Sequence, residues 1–213
     1  MSSAAGKLDQ RAVRGEATRE LILDAAREVL RDEGGAAGTT RAVAERAGVR
    51  LSLVHYHFGG KGGLLAALLE RENASLLERQ QALYAGTAPL AEKWRTACAY
   101  LREDLRSGYA RVLWELWAAG LADEELARRW RDAMAGWRTL LEDVATSWAA
   151  EHELDLPLSP RALATLVANA FQGAEVEMLA GVSEDEAPHF EALAACGTLI
   201  EWVERRGRLK PPI

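Results

Sequence analysis

The stretch TTRAVAERAGVRLSLVHYHFGGKGGLL, residues 39–65, decides how the chain is read. A helix starts at Thr39 or Thr40, because a threonine hydroxyl there accepts one of the first unpaired backbone N–H groups. It runs to Ala47 and stops at Gly48, which takes a positive φ at little cost. A second short helix follows, over roughly Arg50 to His57. Two short helices crossing steeply need a small residue where they meet, and Ala44 supplies it. Val43, Val49, Val54 and Phe58 are spaced to pack the pair onto a preceding helix. Up to this point the pattern would suit any helical hairpin. With Val54 and Phe58 turned inward, however, Leu51, Ser52, His55 and Tyr56 are left on the outer face. Hydrogen-bonding and aromatic side chains on such a face suit the major groove, where base edges carry a distinct donor–acceptor code. Lys61 then opens the next helix, where its ammonium and the free N–H groups can hold one phosphate. Gly59, Gly60, Gly62 and Gly63 are expected to loosen this junction.

Outward from that stretch, Ile22, Ala25, Ala26, Val29 and Leu30 form a helical stripe between Ala17 and Asp32, ended by Gly34-Gly35. Residues 1–14 are small and polar and are expected to form a flexible arm. After Gly62, long amphipathic segments follow at about 62–84, 88–107, 109–120, 123–151, 159–180 and 187–206. No segment alternates as a strand does. The expected fold is all-α: a helix-turn-helix head over 15–61, a larger helical body over 62–206, and a tail at 207–213.

The 213 residues are 49% hydrophobic and 27% charged, an ordinary composition for a chain with a substantial core. The net charge of −6 is unevenly spread: residues 1–61 carry ten Lys and Arg against eight Asp and Glu, the remainder sixteen against twenty-four. Only the head can approach a phosphate backbone without strong repulsion. Cys98 and Cys196 stand alone and read as free core thiols. The N-terminus lacks an apolar stretch of signal-peptide length, and no run reaches the ~18–20 apolar residues of a membrane span. A cytoplasmic protein is expected.

With these residues in view, the resemblance is specific. The run from Thr39 to Leu68, preceded by TRELILDAAREVL, resembles the DNA-binding head of the tetracycline-repressor (TetR) family over about residues 17–68. The threonine cap, Ala44-x-x-Ala47-Gly48-Val49, His55-Tyr56-His57-Phe58 and Gly59-x-Lys61-x-x-Leu64-Leu65 carry the likeness. It implies that Thr40 and Lys61 contact the DNA backbone, and that Arg41, Leu51, Ser52, His55, Tyr56 and His57 read or border the bases. Arg50 departs from the family pattern, where a serine cap is common, and is expected to reach a base or phosphate. Leu51 and Leu53 are apolar where polar residues are common, which favours contact with thymine methyls. The resemblance further implies palindromic double-stranded DNA, a small-molecule effector and a homodimer as partners, with no cofactor.

In the body, Trp130, Trp137 and Trp148 share one stripe of segment 123–151, beside Met134. Trp114 and Trp117 on the preceding segment are expected to face it. Any one tryptophan reads first as core; together they suggest an aromatic pocket for an apolar or planar ligand. Phe171, Gln172 and Glu175, with Asn169, would supply its far wall and polar anchors, or lie in solvent. Leu166, Ala170 and Gly173 form a smooth face, matched by Leu193, Gly197 and Ile200 on the last helix. These fit a four-helix bundle across a two-fold axis. Glu177 falls inside that face and needs a cationic partner.

The residues bear on three classes of function. No nucleophile elbow, phosphate loop or HExxH is present, so an enzyme is not expected. His55 and His57, two apart on a helix, point in different directions and lack a nearby Cys or acidic ligand, so no metal site is expected. The expectation is a ligand-responsive dimeric repressor. The alternative is a helical small-molecule-binding protein without DNA function.

Overall fold

The computed structural model describes residues 2–35 and 38–206, with side chains from 13 to 205 outside that gap. The expected tail, 207–213, lies outside the described residues. All regular structure among them is helical: α1 (Ser2–Glu33), α2 (Thr40–Arg46), α3 (Leu51–Phe58), α4 (Lys61–Ala85), α5 (Leu90–Ser107), α6 (Tyr109–Gly120), α7 (Glu124–Glu151), α8 (Pro160–Leu179) and α9 (His189–Arg206). α1 runs back to Ser2, through the segment expected as an arm. The chain forms two compact units, one made of residues up to Glu72 together with Arg111–Trp130, the other of Asn73–Ala110 and Arg131 onward.

The first unit is built around the α1 stripe. Ile22, Leu23 and Val29 bury against Val43 and Ala44 of α2, Val54 of α3, and Leu64, Leu68 and Leu69 of α4. Val112 and Leu116 of α6 and Leu126 of α7 complete this core. Each fully buried aliphatic side chain contributes roughly 1.5–3 kcal/mol. Outside the core, Arg46 reaches Glu28, Asp32 and Glu33 at 3.4, 3.1 and 2.8 Å, tying α2 to α1. The Asp32 carboxyl is held below the usual carboxylate range, first by Arg31 and then by Arg46. Exposed pairs of this kind are screened by solvent and contribute little, so the apolar core dominates.

In the second unit α5 and α9 run in opposite directions. Ala91 N donates to Glu204 Oε1 at 3.3 Å near one end, and the Arg102 guanidinium lies over the Phe190 ring, 4.2 Å away, near the other. Between them Trp94 Nε1 donates to the Leu193 carbonyl at 2.7 Å and the indole meets Phe171 edge-on, centroids 5.5 Å apart. Gly197 permits this approach, since a Cβ there would lie 2.9 Å from Trp94 Cδ1. Arg79 of α4 grips the buried Asp104 of α5 through both guanidinium nitrogens, and its face covers Tyr100. Of the two free thiols, Cys98 is buried as expected, whereas Cys196 is exposed on α9.

Tyr84, near the end of α4, packs beside Leu141, Ala164 and Ala168. Burial chiefly, with the Cys98 thiol second, pushes its hydroxyl up to about 12. The folded protein then keeps a proton that an unfolded chain releases near pH ~10, so the associated stability is intact below about pH 10 and lost as pH rises toward 12. Denaturant titrations at stepped alkaline pH are expected to show a loss of about 2 kcal/mol across that window, absent in Tyr84→Phe. Equal alkaline losses in the two proteins would overturn the assignment.

Candidate functional site

The head begins with a cap. Thr39 Oγ1 accepts from Ala42 N at 3.1 Å, which leaves Thr40 as the first residue of α2 with its hydroxyl uncommitted to capping. α2 ends where Gly48 adopts φ +65°, and Val49 N returns to the Ala44 carbonyl at 3.0 Å. This closes the carbonyl end of α2 and turns the chain into α3 within three residues. Arg50 occupies the N-cap position of α3 without a side-chain capping bond, so its guanidinium is not used to start the helix.

On α3, Val54 is fully buried. Arg50, Ser52, His55 and Tyr56 are exposed, and Leu51 and His57 are half-buried. Tyr56 is the extreme case at 81% exposure, its ring meeting His57 edge-on with centroids 5.1 Å apart. Leu51 and Leu53 pack partly on the head core, so only part of each side chain is offered outward. Arg41 of α2 and Lys61 of α4 are exposed, and Thr40 is half-buried. Lys61 Nζ makes one long contact, 3.4 Å, with the Gly35 carbonyl.

The junction after α3 differs from the expected loose hinge. Gly59 and Gly60 do turn the chain, with φ of +73° and +144°. Gly63 does the opposite of loosening: a Cβ there would overlap the Phe58 carbonyl oxygen, so α3 and α4 meet backbone to backbone. The loop after α1 is also held. Gly35 N donates to Glu115 Oε2 of α6 at 2.9 Å. Nothing in the sequence pattern pointed to this bond, which spans eighty residues.

The expected ligand residues fall into two groups. Trp114 meets Trp117 edge-on at 5.3 Å and Trp130 at 6.3 Å, all within the first unit. Phe171, with Trp137 packed nearby, belongs to an apolar cluster of the second unit. There Gln172 Nε2 lies 3.0 Å from the sulfur of buried Met134, and Glu175 is half-buried. Trp137 Nε1 is buried and has no acceptor. The tryptophan stripe of α7 therefore has three destinations: Trp130 with Trp114, Trp137 with the Phe171 cluster, and Trp148 in the wall of an open cleft of about 760 Å³. Of the residues expected to form an aromatic pocket, Trp148 alone lines that cleft, which the sequence did not reveal.

The expected dimer residues divide in the same way. Leu166, Ala170, Gly173 and Glu177 are exposed on α8, and a Cβ at Gly173 would meet nothing. Leu193 and Gly197 instead face the interior of their own unit, and Ile200 packs there partly. The open face of α9 carries Leu199, 64% exposed, and Trp202, 40% exposed. Glu177 Oε2 lies 2.9 Å from His189 Nε2, off the line of a hydrogen bond, so the side chain facing it belongs to the same chain. Among the described residues no group of three His, Cys, Asp or Glu is placed to hold a metal ion, and no helix is long and apolar enough to cross a membrane.

A capped α2, a glycine turn and an α3 that buries Val54 while exposing Tyr56 define a helix-turn-helix protein with a helical body. Residues 22–68 match the bacterial regulatory proteins of the tetR family, and the head of this chain is a domain of that family. Solved structures share the fold over almost the whole chain. A TetR-family transcriptional regulator from a Rhodococcus species, described as putative, is 23% identical with a TM-score of 0.69, covering 86% of this chain and 97% of that one. A transcriptional regulator from Rhodococcus sp. Rha1 is 22% identical with a TM-score of 0.72, covering 91% and 99%. The Bacillus subtilis regulator FadR, solved with stearoyl-CoA, is 19% identical with a TM-score of 0.69, covering 86% and 96%. No curated protein matches the chain in sequence.

Proposed function

We propose that the protein is a cytoplasmic homodimeric repressor, not an enzyme, that leaves a palindromic operator when a small apolar or aromatic effector binds its body. The outward face of α3 carries the reading: Tyr56 is 81% exposed on a helix whose Val54 is fully buried. Nothing in the packing of the head requires that ring to be outside, whereas a major groove can use it. In this reading Arg41, Leu51, Ser52, His55, Tyr56 and His57 meet or border the bases, Arg50 reaches a base or phosphate, and Thr40 and Lys61 hold phosphates.

The two contact types separate experimentally. Lys61→Ala is expected to weaken all DNA sequences alike and to lower the salt slope of log affinity by about one per protomer, or about two for the dimer. Tyr56→Ala is expected to narrow the gap between operator and random DNA, with the salt slope kept. Fluorescence anisotropy on palindromic and scrambled duplexes across a salt series reads both. An unchanged slope in Lys61→Ala would overturn the phosphate role. Failure of the parent to prefer any duplex, with small molecules still bound, would favour the helical binding protein without DNA function.

Dimerisation is supported by the apolar side chains left open on α8 and α9: Leu166 at 55%, Leu199 at 64%, Val176 at 41% and Trp202 at 40% exposure. Effector binding in the body is supported by the orphaned indole N–H of Trp137 beside Phe171, since a buried donor without an acceptor costs about 1–3 kcal/mol that a ligand oxygen could recover. FadR, a protein of the same fold, was solved with a long-chain acyl thioester, which accords with an apolar effector. Release from DNA follows only if the effector prefers the DNA-free arrangement of the heads, and DNA must then weaken effector binding by the same factor.

A further inference from the structure

The open cleft in the second unit is walled by the last turn of α4, the turn into α5, the second half of α7 and Glu204 of α9. We propose that it is a binding site for an amphiphilic organic cation, separate from the effector position beside Trp137 and independent of whether the chain binds DNA. Its volume, about 760 Å³, lies within the range of small-molecule sites.

The charges of the walls choose the ligand class. Asp143, Glu151 and Glu204 line the cleft against one lysine, Lys93. That ammonium donates to the Tyr84 carbonyl, 2.9 Å away, and offsets one of the three carboxylates, so the lining stays net negative. His152, the remaining basic side chain of the lining, directs Nδ1 to the Trp148 carbonyl at 3.0 Å. Helix ends add to the negative character. α4 ends at Ala85 and α7 at Glu151, both in the lining, so two carbonyl ends border the cleft. The one N-terminus there, that of α5, is neutralised, because Ala91 N donates to Glu204 Oε1. An anion would meet three carboxylates against a single ammonium, and a neutral molecule would leave the carboxylates unused.

The apolar part of the walls sets the rest. Tyr84, Leu140, Val144 and Trp148 supply hydrocarbon and aromatic surface. Trp148 offers a ring on which a cationic head group can rest. The Tyr84 hydroxyl, like any tyrosine, is neutral at ordinary pH, so it adds no charge to the walls. A cation with an apolar tail satisfies both sets of walls at once.

The full-length protein is titrated calorimetrically with decyltrimethylammonium below its micellar concentration, and with decyl sulfate as a control of equal tail length and opposite charge. The cation is expected to bind saturably, and the sulfate at least about tenfold more weakly. Asp143→Asn combined with Glu151→Gln is expected to weaken the cation by about tenfold or more, since both side chains are exposed and their replacement leaves the core intact. Val144→Trp, which fills the cleft from the α7 side, is expected to abolish binding of both probes, with circular dichroism reporting a folded chain. Equal binding of the two probes, or unchanged cation affinity in the carboxamide variant, overturns the proposal. Operator affinity measured on the same samples bears only on the regulator reading, because the cleft is defined without it.

Discussion

Gly63→Ala is expected to cost the head about 3 kcal/mol or more and to abolish operator binding, although alanine normally stabilises a helix by roughly 1 kcal/mol over glycine. The added methyl would overlap the Phe58 carbonyl oxygen, a backbone atom at the end of α3 that no rotamer change can move. Relief requires α3 to shift against α4, which displaces Val54 from the core and turns the recognition face with it. Gly62→Ala is the control: its Cβ would meet only Asp123 Oδ2, at 3.4 Å, an ordinary contact distance. Thermal unfolding and duplex binding of the two variants should therefore diverge, Gly62→Ala staying near the parent. If both behave alike, the close approach of α3 and α4 does not govern the head.

Gly173→Leu is expected to yield well-folded monomers with operator affinity reduced by about a hundredfold or more. The site is open within one chain, so leucine clashes with nothing there and raises helix propensity. Any loss must come from a second copy. Two smooth helices that approach closely have no room for four carbons, and the overpacking of a facing surface typically costs about 1–3 kcal/mol per site, felt twice across a two-fold axis. A monomer then holds one half-site alone and forfeits the linkage that makes the second contact intramolecular. Light scattering at micromolar concentration, read beside anisotropy, checks both parts. A variant that remains dimeric places the interface away from the middle of α8.

The head was legible because its signals are local. Val54 and Phe58 four apart, Gly48 after a short helix and a threonine at the start each act within a few residues, and α2 and α3 follow from them. What lay beyond was long-range. The sequence offered Thr39 and Thr40 equally as caps, and only the backbone geometry selects Thr39. The α7 tryptophans share a stripe, but a helix of 28 residues is roughly 42 Å long at 1.5 Å per residue, too long for one stripe to line one pocket. In α9, both faces are rich in small and apolar residues, so periodicity did not decide which one meets α5; Trp94 against Gly197 decides it. Arg79 with Asp104, and the carboxylates of the cleft, come from segments far apart in sequence and carry no mark that pairs them.

The bond from Gly35 to Glu115, together with Val112, Leu116 and Leu126 in the core of the first unit, has a consequence for how such proteins can recombine. A graft that exchanges only the residues before Asn73 would carry over a core with three aliphatic side chains supplied by the wrong parent. Each is worth roughly 1.5–3 kcal/mol when it fits. Transplanting the proposed DNA specificity therefore requires exchange of two segments, Arg111–Trp130 travelling with its own head.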